Sequence, residues 1–252
     1  MSLLEVEIKK MIYYEIEKLN RPDLFRAPLV AFSSAEDKRY EELKNVIGDW
    51  HRTPKELFPD AKTVISYFVP FTKVVVMAPK LSKQESPLWG EAYAVINNHF
   101  DQINNRVCEY LHGKGYLSYT IPATHTYNEA DMKSMWSHRS AAAIAGLGSF
   151  GANRMLITEK GSSGRFCTVL TSAVLETSNK VVENRCLYFK NNTCGLCFKA
   201  CPVSALKPDF INKFACQAET RKNEKLLEES IQLYSADTCG KCISVCPVAY
   251  LE

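Results

Sequence analysis

Thr193-Cys-Gly-Leu-Cys-Phe-Lys-Ala-Cys-Pro-Val-Ser-Ala-Leu206 and Thr238-Cys-Gly-Lys-Cys-Ile-Ser-Val-Cys-Pro-Val-Ala-Tyr-Leu251 are two copies of one unit. Eight of their fourteen positions are identical at an offset of 45 residues, which marks a doubled structural element. Each copy carries Cys-x2-Cys-x3-Cys-Pro. Cys-x-x-Cys on a tight turn aims two sulfurs at one cubane, and Gly195 and Gly240 stand where the backbone must bend past inorganic sulfide. Proline suits the first position of a helix, so the pattern predicts short helices leading away from Pro202 and Pro247. In two-cluster ferredoxins the cysteine before proline ligates the other cluster, so crossed ligation is expected here.

Each copy is one ligand short of four, and Cys186 and Cys216 are placed to supply the difference. The expected sets are Cys186, Cys194, Cys197 and Cys246 on one [4Fe–4S] cluster, and Cys201, Cys216, Cys239 and Cys242 on the other. Cys108 and Cys167 remain, both among apolar residues, and read as small core side chains. Structural zinc also uses paired Cys-x-x-Cys, but it gives no reason for a third cysteine before proline in both copies. Disulfides are not expected, because the N-terminus runs from Met1-Ser2-Leu3 straight into Glu5, Glu7, Lys9 and Lys10 and is not a secretory leader. Eight thiols reserved for metal imply a reducing, cytoplasmic setting.

The chain has 252 residues, 46% of them hydrophobic, enough for one sizeable core and a small cofactor domain. No stretch reaches the ~18 apolar residues of a membrane span, so no membrane association is expected. The net charge is +3 with scattered basic residues, which gives no argument for nucleic acid.

Residues 3–19 place Leu4, Ile8, Met11, Ile12, Ile16 and Leu19 on one helical face. Thr63 to Val76 reads as one or two strands broken near Pro70. Residues 91–112 have helical spacing and end at Gly113 and Gly115. Leu117 to Ile121 and residues 165–176 read as strands, Lys133 to Ala145 as a helix, and residues 221–234 as a polar helix. The fold class is therefore α+β. An N-terminal α/β sandwich over residues 1–180 would hold cofactor and substrate, and a ferredoxin-like domain over residues 181–252 would hold two clusters.

A second informative segment is Ser137-His-Arg-Ser-Ala-Ala-Ala-Ile-Ala-Gly-Leu-Gly-Ser-Phe-Gly-Ala-Asn153. Small side chains let its helix pack closely, and the glycines at 146, 148 and 151 let the backbone approach a ligand or turn sharply. The order is helix then glycines, the reverse of a dinucleotide fingerprint, so a Rossmann reading is rejected. A tight helix–loop–strand connection with no ligand is the plainer alternative.

Four features together resemble the epoxyqueuosine reductases and, more distantly, the reductive dehalogenases. They are Phe58-Pro-Asp-Ala-Lys-Thr-Val-Ile-Ser-Tyr-Phe-Val-Pro70, Trp89-Gly-Glu-Ala-Tyr93, Ala145-Gly-Leu-Gly-Ser-Phe-Gly-Ala-Asn153 and the eight-cysteine module. The resemblance implies a nitroreductase-like α/β core that binds cobalamin, with two [4Fe–4S] clusters delivering electrons singly to cobalt. It also implies cofactor contacts from Arg139, Gly146, Leu147, Gly148, Gly151 and Asn153. The family's catalytic aspartate aligns with Met132, next to Asp131. The chain ends at Glu252, which leads to the expectation of a short form without the family's C-terminal helical repeats and without transfer RNA as a partner. The expected partners are then a redox protein as electron donor and a small molecule or the corrinoid as substrate.

Asp131 and His138 are the candidate catalytic acids. Asp near a helix start often serves as a cap, and His138 can cap a helix end as readily as donate a proton. Arg139 suits an anionic group or a surface ion pair. Tyr127 and His125 could face the same pocket, and Arg165 could bind the cofactor or simply begin a strand. Trp89 and Trp136 read as core or pocket wall, and His51, His99 and His112 show no ligand spacing. A reductase requires a closed apolar pocket beside residues 146–153. A ferredoxin-like electron carrier that binds no corrinoid would instead show an exposed cluster edge and no deep pocket.

Overall fold

The computed structural model describes residues 2–123, 127–177 and 182–252. Helix α1 (Leu3–Lys18) opens on a capping box in which Ser2 and Glu5 satisfy each other's backbone, and it buries Ile8, Ile12 and Ile16 one turn apart. Strand β1 (Leu29–Ser34), helices α2 (Arg39–Val46) and α3 (Pro54–Leu57), and strand β2 (Thr63–Pro70) follow. Next come α4 (Lys73–Leu81), the long α5 (Pro87–Gly113), β3 (Ser118–Thr120), and a hairpin of β4 (Tyr127–Asn128) and β5 (Lys133–Ser134). Helix α6 (His138–Ile144) leads into a second hairpin, β6 (Gly148–Phe150) and β7 (Leu156–Thr158), and then β8 (Gly164–Thr171). The cysteine-rich part holds α7 (Leu187–Asn191), α8 (Leu196–Ala200), α9 (Lys213–Ile231) and α10 (Lys241–Ser244). No described helix is long and apolar enough to cross a membrane.

The fold is mixed α/β around one four-stranded antiparallel sheet in the order β1-β2-β8-β3. Strand β2 is buried along its whole length because both faces are covered. On one face Ile65, Tyr67 and Val69, with Cys167 and Val169 opposite, pack on Ile8 and Ile12 of α1 and on Ile96, Phe100 and Ile103 of α5. On the other, Val64 and Leu170 meet Ala141 and Ile144 of α6, and Phe68 stacks on Phe166 with centroids 4.3 Å apart beside Ala142. The alanines let α6 lie close to the strands, as their size predicts. Cys167 is fully buried beside Asn104, and Cys108 is partly buried against the same core.

Several boundaries differ from the sequence reading. The ladder stops at Pro70, which has no N–H to donate, and Val74–Val76 belong to α4 rather than to a strand. The helix expected from Lys133 starts at His138, because residues 133–134 pair with 127–128 and Ser137 caps the helix by accepting the Ser140 N–H. Strand β8 ends at Thr171, and the polar helix begins eight residues earlier than expected, at Lys213 behind an Asn212 cap. No helix starts at Pro202 or Pro247. Helices α8 and α10 precede the prolines instead, and Cys201 is extended, as the residue before a proline tends to be.

The cysteine-rich part is bolted to the sheet layers. Trp89 Nε1–H donates to Thr238 Oγ1 at 2.9 Å, and Lys241 Nζ donates to the carbonyls of Pro79 and Ser82 that end α4. Arg26 reaches the Leu251 and Lys160 carbonyls, while the Ser162 and Ser163 N–H groups donate to Ala249 O. The expected division at residues 180/181 lies outside the described residues. Phe68→Ala removes half of a buried ring pair and is expected to cost about 3–5 kcal/mol in urea unfolding. A loss under about 1 kcal/mol would place that pair outside the packed core.

Candidate functional site

The eight cysteines fall into two sets. Cys186 caps α7, Cys194 precedes α8, Cys197 sits on α8, and Cys246 follows α10. These four line a single small recess whose other walls include Ala152, Asn153, Ile157, Tyr188 and Val248. Helix α8 packs against α10, which carries Cys246 of the second repeat to Cys194 and Cys197 of the first. Cys201 at the end of α8, Cys216 in the first turn of α9, and Cys239 and Cys242 around the start of α10 form the other set, close enough to repel one another as thiolates. Each repeat therefore places its third cysteine with the other repeat's pair.

The donor chemistry fits iron–sulfur clusters. Burial pushes the Cys242 thiol up to about 12 and Cys246 up to about 11, and neighbouring sulfurs add to both shifts. A bound metal reverses that sign, since a coordinating thiol is deprotonated outright. Main-chain donors already point at sulfur: Ala152 N–H to Cys186 Sγ at 3.4 Å and Ala205 N–H to Cys201 Sγ at 3.1 Å. Among the described residues no three His, Cys, Asp or Glu side chains gather tightly enough for a single ion. Zinc draws its four ligands onto one atom, whereas a cubane takes its four thiolates at separate iron corners.

The residues assigned to a corrinoid do not share one concavity. Gly146, at φ +80°, ends α6 in a Schellman motif, with Leu147 N–H bonded to Ala142 O and Gly146 N–H to Ala143 O. Gly146 and Leu147 border a groove with Lys9, Tyr13, Leu29, Val30 and Glu159. Gly148 pairs with Thr158 in the β6–β7 hairpin, whereas Asn153 lines the cysteine recess. Arg139 keeps exposed surface and donates to Arg154 O at 2.9 Å. Arg165 donates to Asn97 Oδ1 and lies 4.5 Å over the Tyr93 ring.

His138 has both nitrogens engaged. Nε2 lies 3.0 Å from Pro122 O, so that nitrogen carries the proton, and Nδ1 accepts the Thr168 hydroxyl at 2.8 Å. Thr168 Oγ1 in turn accepts Trp136 Nε1–H at 3.0 Å. The sequence reading missed Thr168, although a hydroxyl inside the apolar run of β8 was the available signal. Burial holds the His138 imidazole well below the ordinary histidine range, at about 4. Asp131 stands exposed at the tip of the β4–β5 hairpin, accepting the Lys133 N–H and pairing with its ammonium. That hairpin is tied to α9 by Gln217 to Tyr127, Lys213 to Met132 O, and Arg221 to Glu129. His125 lies outside the described residues.

Trp89 and Trp136 are buried walls. His99 bonds Glu15 O, His112 bonds Ser118 Oγ, and His51 is buried against Trp136.

No family model matches the chain, and no curated protein does. Its fold is that of the epoxyqueuosine reductase structures. The enzyme from Streptococcus thermophilus is 18% identical over 99% of this chain, with a TM-score of 0.58. The Bacillus subtilis enzyme, solved with its catalytic aspartate loop swung out of the active site, is 18% identical over 96%, with a TM-score of 0.55. An epoxyqueuosine reductase in complex with an epoxyqueuosine-modified tRNA-Tyr stem loop is 19% identical over 96%, also at 0.55. This chain spans 66% of the length of each of those chains. The last structure overturns the expectation that excluded transfer RNA as a partner: a protein of this fold is solved holding one.

Two measurements test this geometry. Cys194→Ser with Cys246→Ser strikes one set only, so the double variant is expected to keep about four of about eight irons; uncrossed ligation would leave about none. His138 is neutral when folded down to about pH 4 but protonates near 6.5 when unfolded. Its contribution to stability is complete above about pH 6.5 and is lost as pH falls towards 4, on the order of 1–3 kcal/mol. His138→Gln should flatten that part of the urea-stability profile, and an unchanged slope would count against the assignment.

Proposed function

We propose that this chain is an iron–sulfur oxidoreductase that passes electrons singly through two [4Fe–4S] clusters and acts on an epoxyqueuosine-modified transfer RNA. The sorting of eight cysteines into two crossed sets of four carries the cluster reading. Each cluster, when bound, takes up and releases one electron at a time. The thiolates hold the clusters, while Ile157, Tyr188 and Val248 keep water from one of them. Within this reading residues 1–180 form the substrate side and residues 181–252 the ferredoxin-like, dicluster side.

The substrate class is supported by the fold neighbour solved with a modified stem loop. Reduction of an epoxide takes two electrons and two protons, so a proton donor is needed beside the electron path. Asp131 takes that role, carried on the exposed β4–β5 hairpin. A relative whose catalytic aspartate loop swings out of its active site supports a hairpin that closes over substrate. Arg139 and Arg165 have no carboxylate partner among the described residues and suit an anionic group such as a phosphate. A corrinoid acceptor is supported by the sequence resemblance alone. The residues assigned to it do not converge on one recess.

The test is anaerobic reconstitution, iron and sulfide counting, and incubation with a chemical reductant and an epoxyqueuosine-modified stem loop, with and without cobalamin. About eight irons and a changed mass of the modified nucleoside support the proposal. Dependence of that change on cobalamin would bring the corrinoid in. Full clusters with an untouched nucleoside would leave an electron carrier. Asp131→Asn is expected to keep its iron and lose about 10²–10⁴ in turnover.

A further inference from the structure

We infer that the side-chain amide of Asn153 donates a hydrogen bond to a sulfur of the cluster held by Cys186, Cys194, Cys197 and Cys246, and so raises the reduction potential of that cluster. The inference rests on the cluster reading above and assigns this asparagine a role towards iron–sulfur rather than towards a corrinoid. Asn153 is 6% exposed and lines the recess that the four cysteines share. Its Oδ1 accepts the Met155 N–H at 3.1 Å, which fixes which end of the amide is oxygen. Its Nδ2 is buried with no partner in the protein. Buried donors nearly always find an acceptor, and the recess that Asn153 lines carries four cysteine sulfurs. The neighbouring Ala152 N–H already points at Cys186 Sγ, so the loop presents two successive residues to the same set of sulfurs. Gly151 makes room for this: a Cβ there would come within 2.8 Å of Ile157 Cδ1 and 3.1 Å of Asn153 Oδ1, against the seated amide.

Hydrogen bonds to cluster sulfurs tune the potential, and a donor favours the more negative, reduced state. Asn153→Asp keeps the acceptor for Met155 N–H and removes the donor; Asn153→Leu removes it without adding charge. In both, potentiometric titration followed by EPR is expected to show one couple falling and the other unmoved. The reduced-to-oxidised ratio at fixed potential should drop about tenfold, which is about 59 mV for one electron. The wild type, grown with nitrogen-15 in asparagine side chains, should show a hyperfine coupling to one reduced cluster in pulsed EPR. Variants that hold about eight irons with both couples unmoved would overturn the donor alone. Should the variants fail to hold iron, absence of that coupling in the wild type overturns it equally. A wild type that takes up no iron overturns the cluster reading and this inference together.

Discussion

The C-terminal third is organised by the packing of α8 on α10, which gathers sulfurs from both repeats into one small region. Four thiols line one recess and four more lie around the starts of α9 and α10, and burial, with neighbouring sulfurs adding to it, drives Cys242 and Cys246 towards the protonated form. Bound iron would favour the same gathering, because a coordinating thiol is deprotonated and its charge is met by the metal. The short helices α8 and α10 are brief because their task is to present sulfur at both ends rather than to bury a long apolar face. Their contact makes the two repeats one body.

The sheet layers explain why so much chain precedes the cysteines. Strand β2 is covered on both faces, and its neighbour β8 carries the Thr168 hydroxyl that locks Trp136 and His138 in place. The same scaffold supplies Ala152, Asn153 and Ile157 to the wall of the cysteine recess. A segment that the sequence marked by its glycines thus contributes to metal surroundings and helix termination at once. His138 and Asp131 part company here. The first is held by two internal hydrogen bonds, whereas the second faces solvent on a hairpin tethered to α9.

Much of this was legible because cysteine spacing and hydrophobic period are local signals. The faces of α1 and α5 and the small-residue packing of α6 can be read from residue type and interval. What escaped was set by partners distant in sequence. Val74–Val76 look like strand until Pro70 ends the ladder and α4 takes over, and Lys133–Ser134 look helical until Tyr127–Asn128 claim them. The prolines after Cys201 and Cys246 looked like helix starts, but their effect on the preceding residue places them after helices instead. The exclusion of transfer RNA rested on chain length and scattered charge, neither of which describes the shape of a binding face.

The crossing also imposes an order on biosynthesis. The central sheet is complete once β8 has been made, at Thr171, and the wall residues Ala152, Asn153 and Ile157 precede it. Neither set of four sulfurs is complete until Cys242 and Cys246 have emerged, near the end of this sequence. Translation runs from the N-terminus, so the sheet layers can pack before either metal site exists. The sheet layers thus supply one wall of the cysteine recess before α10 brings up the sulfurs that close both sets.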